Sequence, residues 1–269
     1  MRKDFDRCYV TAKDNVAILT MNHPEVMNAA SVTMVHGLGA AIEYIERPDS
    51  AFRAIVLTGE GRGFCSGANL SEQTPESRQA ASSTAAVGHA LETAYHPLLR
   101  RLRDLRMPLV TAVNGAAAGV GMSIALMGDI ITASRSAYFL QAFARIGLVP
   151  DGGSTWLLPR LVGLARAKEL SLLAEKLPAE QALEWGLINR VFDDAALVDE
   201  ALKLATRLAN GPTQSLGMIR KLYWDSPHNT YEVQLDQERQ SQTRAGKTED
   251  FVEGVTAFLQ KRPAAFKGK

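Results

Sequence analysis

Cysteine is nearly absent from this 269-residue chain: Cys8 and Cys65 are the only two. They stand alone, with no C-x-x-C pair, which excludes a disulfide framework and fits a reduced, cytoplasmic protein. His23, His36, His89 and His228 show no ligand spacing either, so no metal site is expected. No run of about 18 apolar residues occurs, so no helix is expected to cross a membrane. The opening MRKDFDRC lacks an apolar core and does not read as a signal peptide. An excess of one charge is missing as well: 30 Lys and Arg face 29 Asp and Glu, a net +1. That leaves no electrostatic footprint for nucleic acid or an anionic membrane. There is no low-complexity tract and no strong internal repeat. What remains is an ordinary globular composition, 46% hydrophobic and 22% charged, on a chain long enough to bury a sizeable core.

The chain is organised around residues 108–129, PLVTAVNGAAAGVGMSIALMGD. Leu109 to Val113 is a short apolar run rich in β-branched residues and reads as a buried strand. Asn114-Gly115 breaks it, Gly119-Val120-Gly121 follows, and Met122 to Met127 continues in a helical pattern. A helix start leaves its first N–H groups without partners and favours negative charge. The glycines allow a ligand close to the backbone, and Val120 N–H is a candidate oxyanion donor. Equally, they would let helix and strand pack tightly.

Upstream, Tyr9–Lys13 and Val16–Met21 read as two strands joined by Asp14-Asn15. Ser31 caps a helix to about Ile45, with Met34, Val35, Leu38, Ala41, Ile42 and Ile45 on one face. Arg53–Leu57 is a third strand, followed by the glycine-rich TGEGRGFCSGANL at 58–70 leading into a polar helix. Residues 71–83 read as a mobile connection, and a helix runs from about Ala86 to Leu105. Strand, glycine turn and helix thus occur twice, and two such turns could converge two N–H donors on one point. From Ala195 onward the chain reads as helices only, at 195–209, 212–224, about 230–245 and about 248–260. Gly211-Pro212 supplies a break between core and extension. Tyr223, Trp224 and Phe251 there read as core or interface residues.

FCSGANL at 64–70 and NGAAAGVGMSIALMGDI at 114–130 resemble the two signature segments of the enoyl-CoA hydratase/isomerase (crotonase) family. NHPEVMNA at 22–29, GLVPDGGSTWLLPRLVG at 147–163, EQALEWGLINRV at 180–191 and the C-terminal EGVTAFLQKRPAAFKGK resemble it too, in the right order over nearly the whole chain. The resemblance implies an α/β fold, a crotonase-like spiral of repeated ββα units with a C-terminal helical trimerisation segment. It divides the chain into a spiral core, 1–194, and a helical oligomerisation segment, 195–269, and it implies a homotrimer or hexamer. Within the family, the 147–163 segment and the C-terminus are most similar to isomerases that turn a ring-epoxidised phenylacetyl-CoA into the oxepin-CoA.

The implied chemistry starts from an acyl-CoA thioester, with coenzyme A part of the substrate and no separate cofactor. Removing a proton α or vinylogous to the thioester builds charge on its carbonyl oxygen. Two fixed N–H donors, placed by the family pattern at Ala68 and Val120, would stabilise that charge, each contributing roughly 3 kcal/mol. Read locally, Gly67-Ala68-Asn69 could instead be a helix start capped by Ser66 or Asn69. Hydratases of the family carry two glutamates that handle water; the matching positions here hold Ser123 and Phe143, which makes water addition doubtful. Asp151 falls where family isomerases and a related dehalogenase keep a carboxylate; read locally, it could be the N-cap of a helix entering at Gly153. Ser66, Gly67, Gly121, Ser123 and Phe143 are expected along the substrate path, and His96 where the dehalogenase has a functional histidine. Lys261 resembles the lysine that meets CoA phosphates, often from a neighbouring subunit, and Phe258 would touch adenine.

The resemblance therefore implies an acyl-CoA isomerase acting on a ring epoxide of phenylacetyl-CoA, on 3-enoyl-CoA double bonds, or on both. An enoyl-CoA hydratase, a dehalogenase or a hydrolase of the same fold stays open. Other classes fit less well. Gly63-Phe64-Cys65-Ser66-Gly67 has the wrong spacing for a serine-hydrolase elbow. Gly119 and Gly121 supply only the start of a dinucleotide fingerprint, with Ile124 at its third place. A nucleic-acid-binding relative would want a basic face.

Overall fold

Alternation along one central strand sets the layers. The computed structural model describes residues 2–69 and 85–269. Strand β4 (Ala54–Gly59) has Ile55 and Leu57 in one buried cluster and Ala54 and Val56 in another. Successive side chains of a strand point to opposite faces, so both faces of this strand are covered. That is why its sequence is a continuous apolar run rather than an alternating one.

Seven strands form the large sheet in the order β1 (Arg2–Phe5), β2 (Cys8–Lys13), β3 (Val16–Met21), β4, β6 (Leu109–Val113), β8 (Ile130–Ser134) and β11 (Arg190–Phe192). The first three pair antiparallel, with the β2–β3 hairpin turning at Asp14 (φ 51°) and Asn15. From β3 to β11 every pairing is parallel. A second sheet runs β10 (Lys176–Pro178), β9 (Tyr138–Leu140), β7 (Ala116–Ala118) and β5 (Gly63–Cys65), with β5, β7 and β9 parallel. Each turn of the chain gives a strand to the large sheet and then a short one to the small sheet: β4 then β5, β6 then β7, β8 then β9. The crotonase-like α/β spiral expected from the sequence is the architecture observed.

Helix α1 (Val32–Ile45) starts where expected: Ser31 Oγ accepts from Met34 N at 3.2 Å. Its six predicted apolar residues are all buried in the main core. The predicted 86–105 helix is α2 (Ala85–Ala90), a π turn at Leu91–Tyr95, and α3 (His96–Arg103). Pro97, which has no N–H to give and whose ring crowds the carbonyl four residues back, sits just after the widened turn. Helix α4 (Val120–Ala125) is wholly buried, and α5 (Ser154–Leu173) and α6 (Ala179–Glu184) follow.

The last four helices are α7 (Leu197–Ala209), α8 (Thr213–Asp225), α9 (Tyr231–Ala245) and α10 (Glu249–Leu259). Leu197, Ala201, Ala205 and Ala209 recur every four residues and lie against Val16, Ala54, Val56, Val110 and Ala112 of the large sheet. Three alanines in that stripe let the helix approach the sheet closely, so α7 covers the core, and Gly211-Pro212 falls after it. Buried Arg220 of α8 pairs with Asp129 and donates to the carbonyls of Leu102 and Leu105. Arg53 donates to the Gly211 and Phe266 carbonyls and to Thr213 Oγ1. Trp224 stacks on Trp156 of α5 with ring centroids 5.5 Å apart. Strands β1, β5, β7, β8, β9, β10 and β11 had no counterpart in the sequence reading. The connection expected at 71–83 and most of the polar helix expected after residue 58 lie outside the described residues.

Candidate active site

Two glycine turns leave neighbouring strand ends and pack against each other. β5 and β7 run parallel, with Gly63 opposite Ala116 and Cys65 opposite Ala117. Ser66-Gly67-Ala68 leaves one strand and Gly119-Val120 leaves the other. Gly67 has φ 107°, and Gly119 has φ 53° with ψ −128°, conformations that side chains rarely adopt. A β-carbon at Gly121 would lie 2.2 Å from the Cys65 carbonyl oxygen. Both readings of the glycines hold at once: they permit tight packing, and that packing aligns the turns.

The first turn is clamped from outside. Ala30 N donates to the Gly67 carbonyl at 2.7 Å, and Tyr95 Oη donates to the Ala30 carbonyl at 2.6 Å. Ser66 N donates to the Met27 carbonyl and Ser66 Oγ to the Val26 carbonyl, each at 3.0 Å. Ser66 is therefore not a helix cap; its hydroxyl ties the turn to the 22–30 loop. Asn28, at φ 54°, holds that loop: its Oδ1 accepts from His23 N, and its Nδ2 donates to the Glu60 and Gly63 carbonyls. Among the described residues, neither Ala68 N–H nor Val120 N–H donates to a protein acceptor. Val120 opens α4, where a helical N–H has no partner of its own. The turns thus present two unused donors from adjacent strand ends.

Asp151 lies on the loop entering α5. Its carboxylate does not cap the helix: the N-cap is Gly153, in a left-handed conformation, with no side-chain cap bond. The capping acceptor is instead the Asp151 backbone carbonyl, which takes Ser154 N at 3.1 Å and Ser154 Oγ at 2.7 Å. Asp151 Oδ1 is buried and has no hydrogen-bond partner among the described residues. Burial disfavours the charged form and pushes the carboxyl pKa up to about 6. An unpaired carboxyl whose proton affinity sits near neutrality can take and return a proton.

Ser123 and Phe143, which the family resemblance matches to the hydratase glutamates, are both packed inside. Ser123 of α4 is fully buried, 2.7 Å from Ser154 Oγ. Phe143 is buried, and a β-carbon at Gly119 would lie 3.7 Å from its ring, so the ring stands beside the second turn.

The Enoyl-CoA hydratase/isomerase family pattern matches residues 11–269. The chain belongs to the enoyl-CoA hydratase/isomerase family. It is 46% identical over 254 residues to "1,2-epoxyphenylacetyl-CoA isomerase" of Escherichia coli (strain K12), covering 94% of this chain and 95% of the relative. It is 42% identical to "Probable enoyl-CoA hydratase" of Rhodobacter capsulatus, covering 95% and 96%. The crystal structure of an enoyl-CoA hydratase/isomerase from Cupriavidus metallidurans CH34 superposes with a TM-score of 0.90 at 31% identity, over 99% and 98% of the two chains. This crotonase-family member is an acyl-CoA enzyme.

The remaining expected residues of this family member are dispersed. His96 is half-buried and directly follows the π turn. One turn further on, Leu99 approaches Gly152: a β-carbon at Gly152 would lie 3.5 Å from Leu99 Cδ1. His96 therefore shares the α3 face that meets the Asp151 loop. Phe258, next to last in α10, is 82% exposed, and Lys261, just beyond the helix, is exposed with φ 54°. Among the described residues, no hydrogen bond or ion pair ties either to the two turns. Cys65 lies within the site's framework, but burial raises its thiol pKa to about 11, which leaves it a packing residue rather than a nucleophile. Sequence reasoning missed Asn28, Tyr95 and Ser154. Asn28 lay inside a quoted motif, and its signal was an asparagine able to adopt a left-handed backbone. Ser154 also lay inside a quoted motif, three residues after the Asp151 carbonyl it donates to, whereas the Tyr95 hydroxyl meets a carbonyl 65 residues away.

Proposed function

We propose that this enzyme is an acyl-CoA isomerase that converts ring-1,2-epoxyphenylacetyl-CoA to the oxepin-CoA and shifts 3-enoyl-CoA double bonds to the 2-position. The observation that carries this reading is the Asp151 carboxyl, whose buried Oδ1 has no hydrogen-bond partner among the described residues, in a chain that holds Ser123 and Phe143 at the two positions the family resemblance matches to hydratase glutamates. One base suffices for an isomerase. Asp151 takes a proton from the carbon next to the thioester carbonyl, and the electron pair moves onto the carbonyl oxygen. The N–H groups of Ala68 and Val120 hold that oxygen as it becomes negative. In the epoxide the bond between the two oxygen-bearing ring carbons also breaks, its electron pair entering the double bonds of the seven-membered oxepin ring; with either substrate the same carboxyl gives the proton back at the carbon γ to the carbonyl, and the composition is unchanged. A lost oxyanion donor typically costs about 10²- to 10³-fold in rate, so the two turns carry as much of the catalysis as the base.

The name of the 46% identical relative supports the epoxide as substrate. The name of the Rhodobacter relative favours water addition as the second reading, but no carboxylate stands at 123 or 143 to deliver the water. The test is to incubate the protein with 3-enoyl, 2-enoyl and epoxyphenylacetyl thioesters and to identify products by mass and absorbance. Unchanged mass with a new conjugated chromophore is expected. A product heavier by one water as the main outcome would reject the isomerase.

A further inference from the structure

Three buried oxygens meet behind the Asp151 loop. Ser123 Oγ and Ser154 Oγ are 2.7 Å apart, Ser154 Oγ is 2.7 Å from the Asp151 carbonyl oxygen, and Ser123 Oγ is 3.1 Å from it. Both serines are fully buried. Each hydroxyl has one hydrogen to give, so the three contacts cannot all be full hydrogen bonds. The two shortest define the network: Ser123 donates to Ser154 Oγ, and Ser154 donates to the Asp151 carbonyl. A chain of this kind strengthens each link and leaves no buried donor unused. Packing fixes the same seat. Gly152, at φ 61°, lies so close to α4 that a β-carbon there would be 2.7 Å from Ser123 Cβ.

We propose that Ser123 and Ser154 are a positioning pair: they hold the Asp151 backbone carbonyl turned onto α4, which keeps the loop seated and leaves the carboxyl Oδ1 out of water and without a partner among the described residues. Without this anchor the loop could rotate and carry the carboxyl into water, which would lower its proton affinity and move it off the substrate. The seat also gives position 123 a reason to be small. A glutamate there would have to displace the 151–154 turn, so the loop carrying the base and a water-activating carboxylate at 123 exclude each other. Neither serine touches the reacting atoms in this arrangement; both act through Asp151. The ionisable group facing the loop from α3 is His96; α4 carries none, and the first on α5, Arg160, lies over the Trp156 ring.

The inference rests on Asp151 as the base, and its test keeps the two apart. Ser123→Ala, Ser154→Ala, the double variant and Asp151→Asn are compared by steady-state kinetics and by carbon-13 titration of the Asp151 carboxyl in the substrate-free protein. Each single alanine leaves one hydroxyl within reach of the carbonyl, so each is expected to cost only a few-fold. The double variant is expected to lose about 10²-fold in kcat, the scale of a catalytic group misplaced by roughly 1 Å. Its KM is expected to change little, and its Asp151 pKa to fall from about 6 toward the ordinary carboxylate value. A double variant with the wild-type kcat and the wild-type carboxyl titration overturns the positioning pair, even if Asp151→Asn is inactive. An active Asp151→Asn overturns the base, whereas the titration still reports on the seat. Should the double variant not fold, Ser154→Ala alone is read the same way: an unchanged kcat with an unchanged titration overturns the proposal.

Discussion

The α-carbon of Gly121 rests on the Cys65 carbonyl so closely that a β-carbon would sit 2.2 Å from its oxygen. This contact joins the start of α4 to the end of β5 and fixes the spacing between the two turns. The distance between the Ala68 and Val120 donors is therefore a property of core packing rather than of either loop alone. Preorganised donors of this kind need no rearrangement when charge develops on the substrate.

Replacing Asp151 by Asn keeps the side chain's size and removes its ability to accept a proton. Turnover of the epoxide and 3-enoyl thioesters is expected to fall by about 10²- to 10⁴-fold, the range of general acid–base catalysis. Calorimetric binding of a CoA ester should be retained. Full activity in this variant would mean that another residue is the base.

The pH dependence follows from the same carboxyl. Its pKa in the folded protein is raised to about 6, and the base must be ionised to act. Hence kcat/KM should fall as pH drops through about 6, rather than through the ordinary carboxylate range near 4. The stability effect runs the other way. A raised pKa means that the folded state holds the proton more tightly than the unfolded one, so stability declines as pH rises from the unfolded value through about 6. Asp151→Asn should therefore melt higher than wild type at pH 8, and the gap should close below pH 4. A lower melting temperature at pH 8 would mean that the carboxylate supports the fold after all.

Val120→Pro removes one oxyanion donor where the backbone tolerates it. Val120 is the first residue of α4, and proline suits that position because the N–H has no helical partner. The expected loss in kcat is about 10²- to 10³-fold, with a modest fall in melting temperature. Wild-type turnover would show that the carbonyl is not held there.

Water addition gives a separate check. With Ser123 and Phe143 in place of carboxylates, hydration of crotonyl-CoA should be negligible by absorbance. Ser123→Glu should lower isomerase activity without creating a hydratase, because Gly152 occupies the space the new side chain needs. Rapid hydration by the wild-type protein would sink the isomerase reading.

Assembly is tested at α10. Phe251, Val252, Phe258 and Leu259 are 52%, 62%, 82% and 74% exposed on one protomer, an apolar surface unusual for a monomer. Light scattering is expected to give a trimer or a pair of trimers, and Lys261→Ala to weaken CoA binding. A monodisperse monomer with unchanged CoA affinity would count against both.

Most of the main elements were legible in the sequence. The runs at 16–21 and 109–113 became strands with the predicted bounds, because buried β-branched runs have few alternatives. Ser31 capped α1, and its 3.6-residue pattern named six of its seven buried residues. The motifs also placed Ala68, Val120 and Asp151 at candidate positions, yet each had a bland local reading that the sequence could not dismiss. The contacts around these residues belong to the fold. Ser66 turned out to bond the 22–30 loop, and Gly153 to cap α5, which freed the Asp151 carboxyl. Strands such as Ala116–Ala118 were invisible because alanine carries no strand preference of its own, and only neighbours on both sides make it extend. The contact that seats the Asp151 loop joins Ser123 to Ser154, 31 residues apart, and a contact at that separation leaves no local signal. It arises when α4 and the start of α5 pack together, and packing is settled by shape and burial over the whole chain.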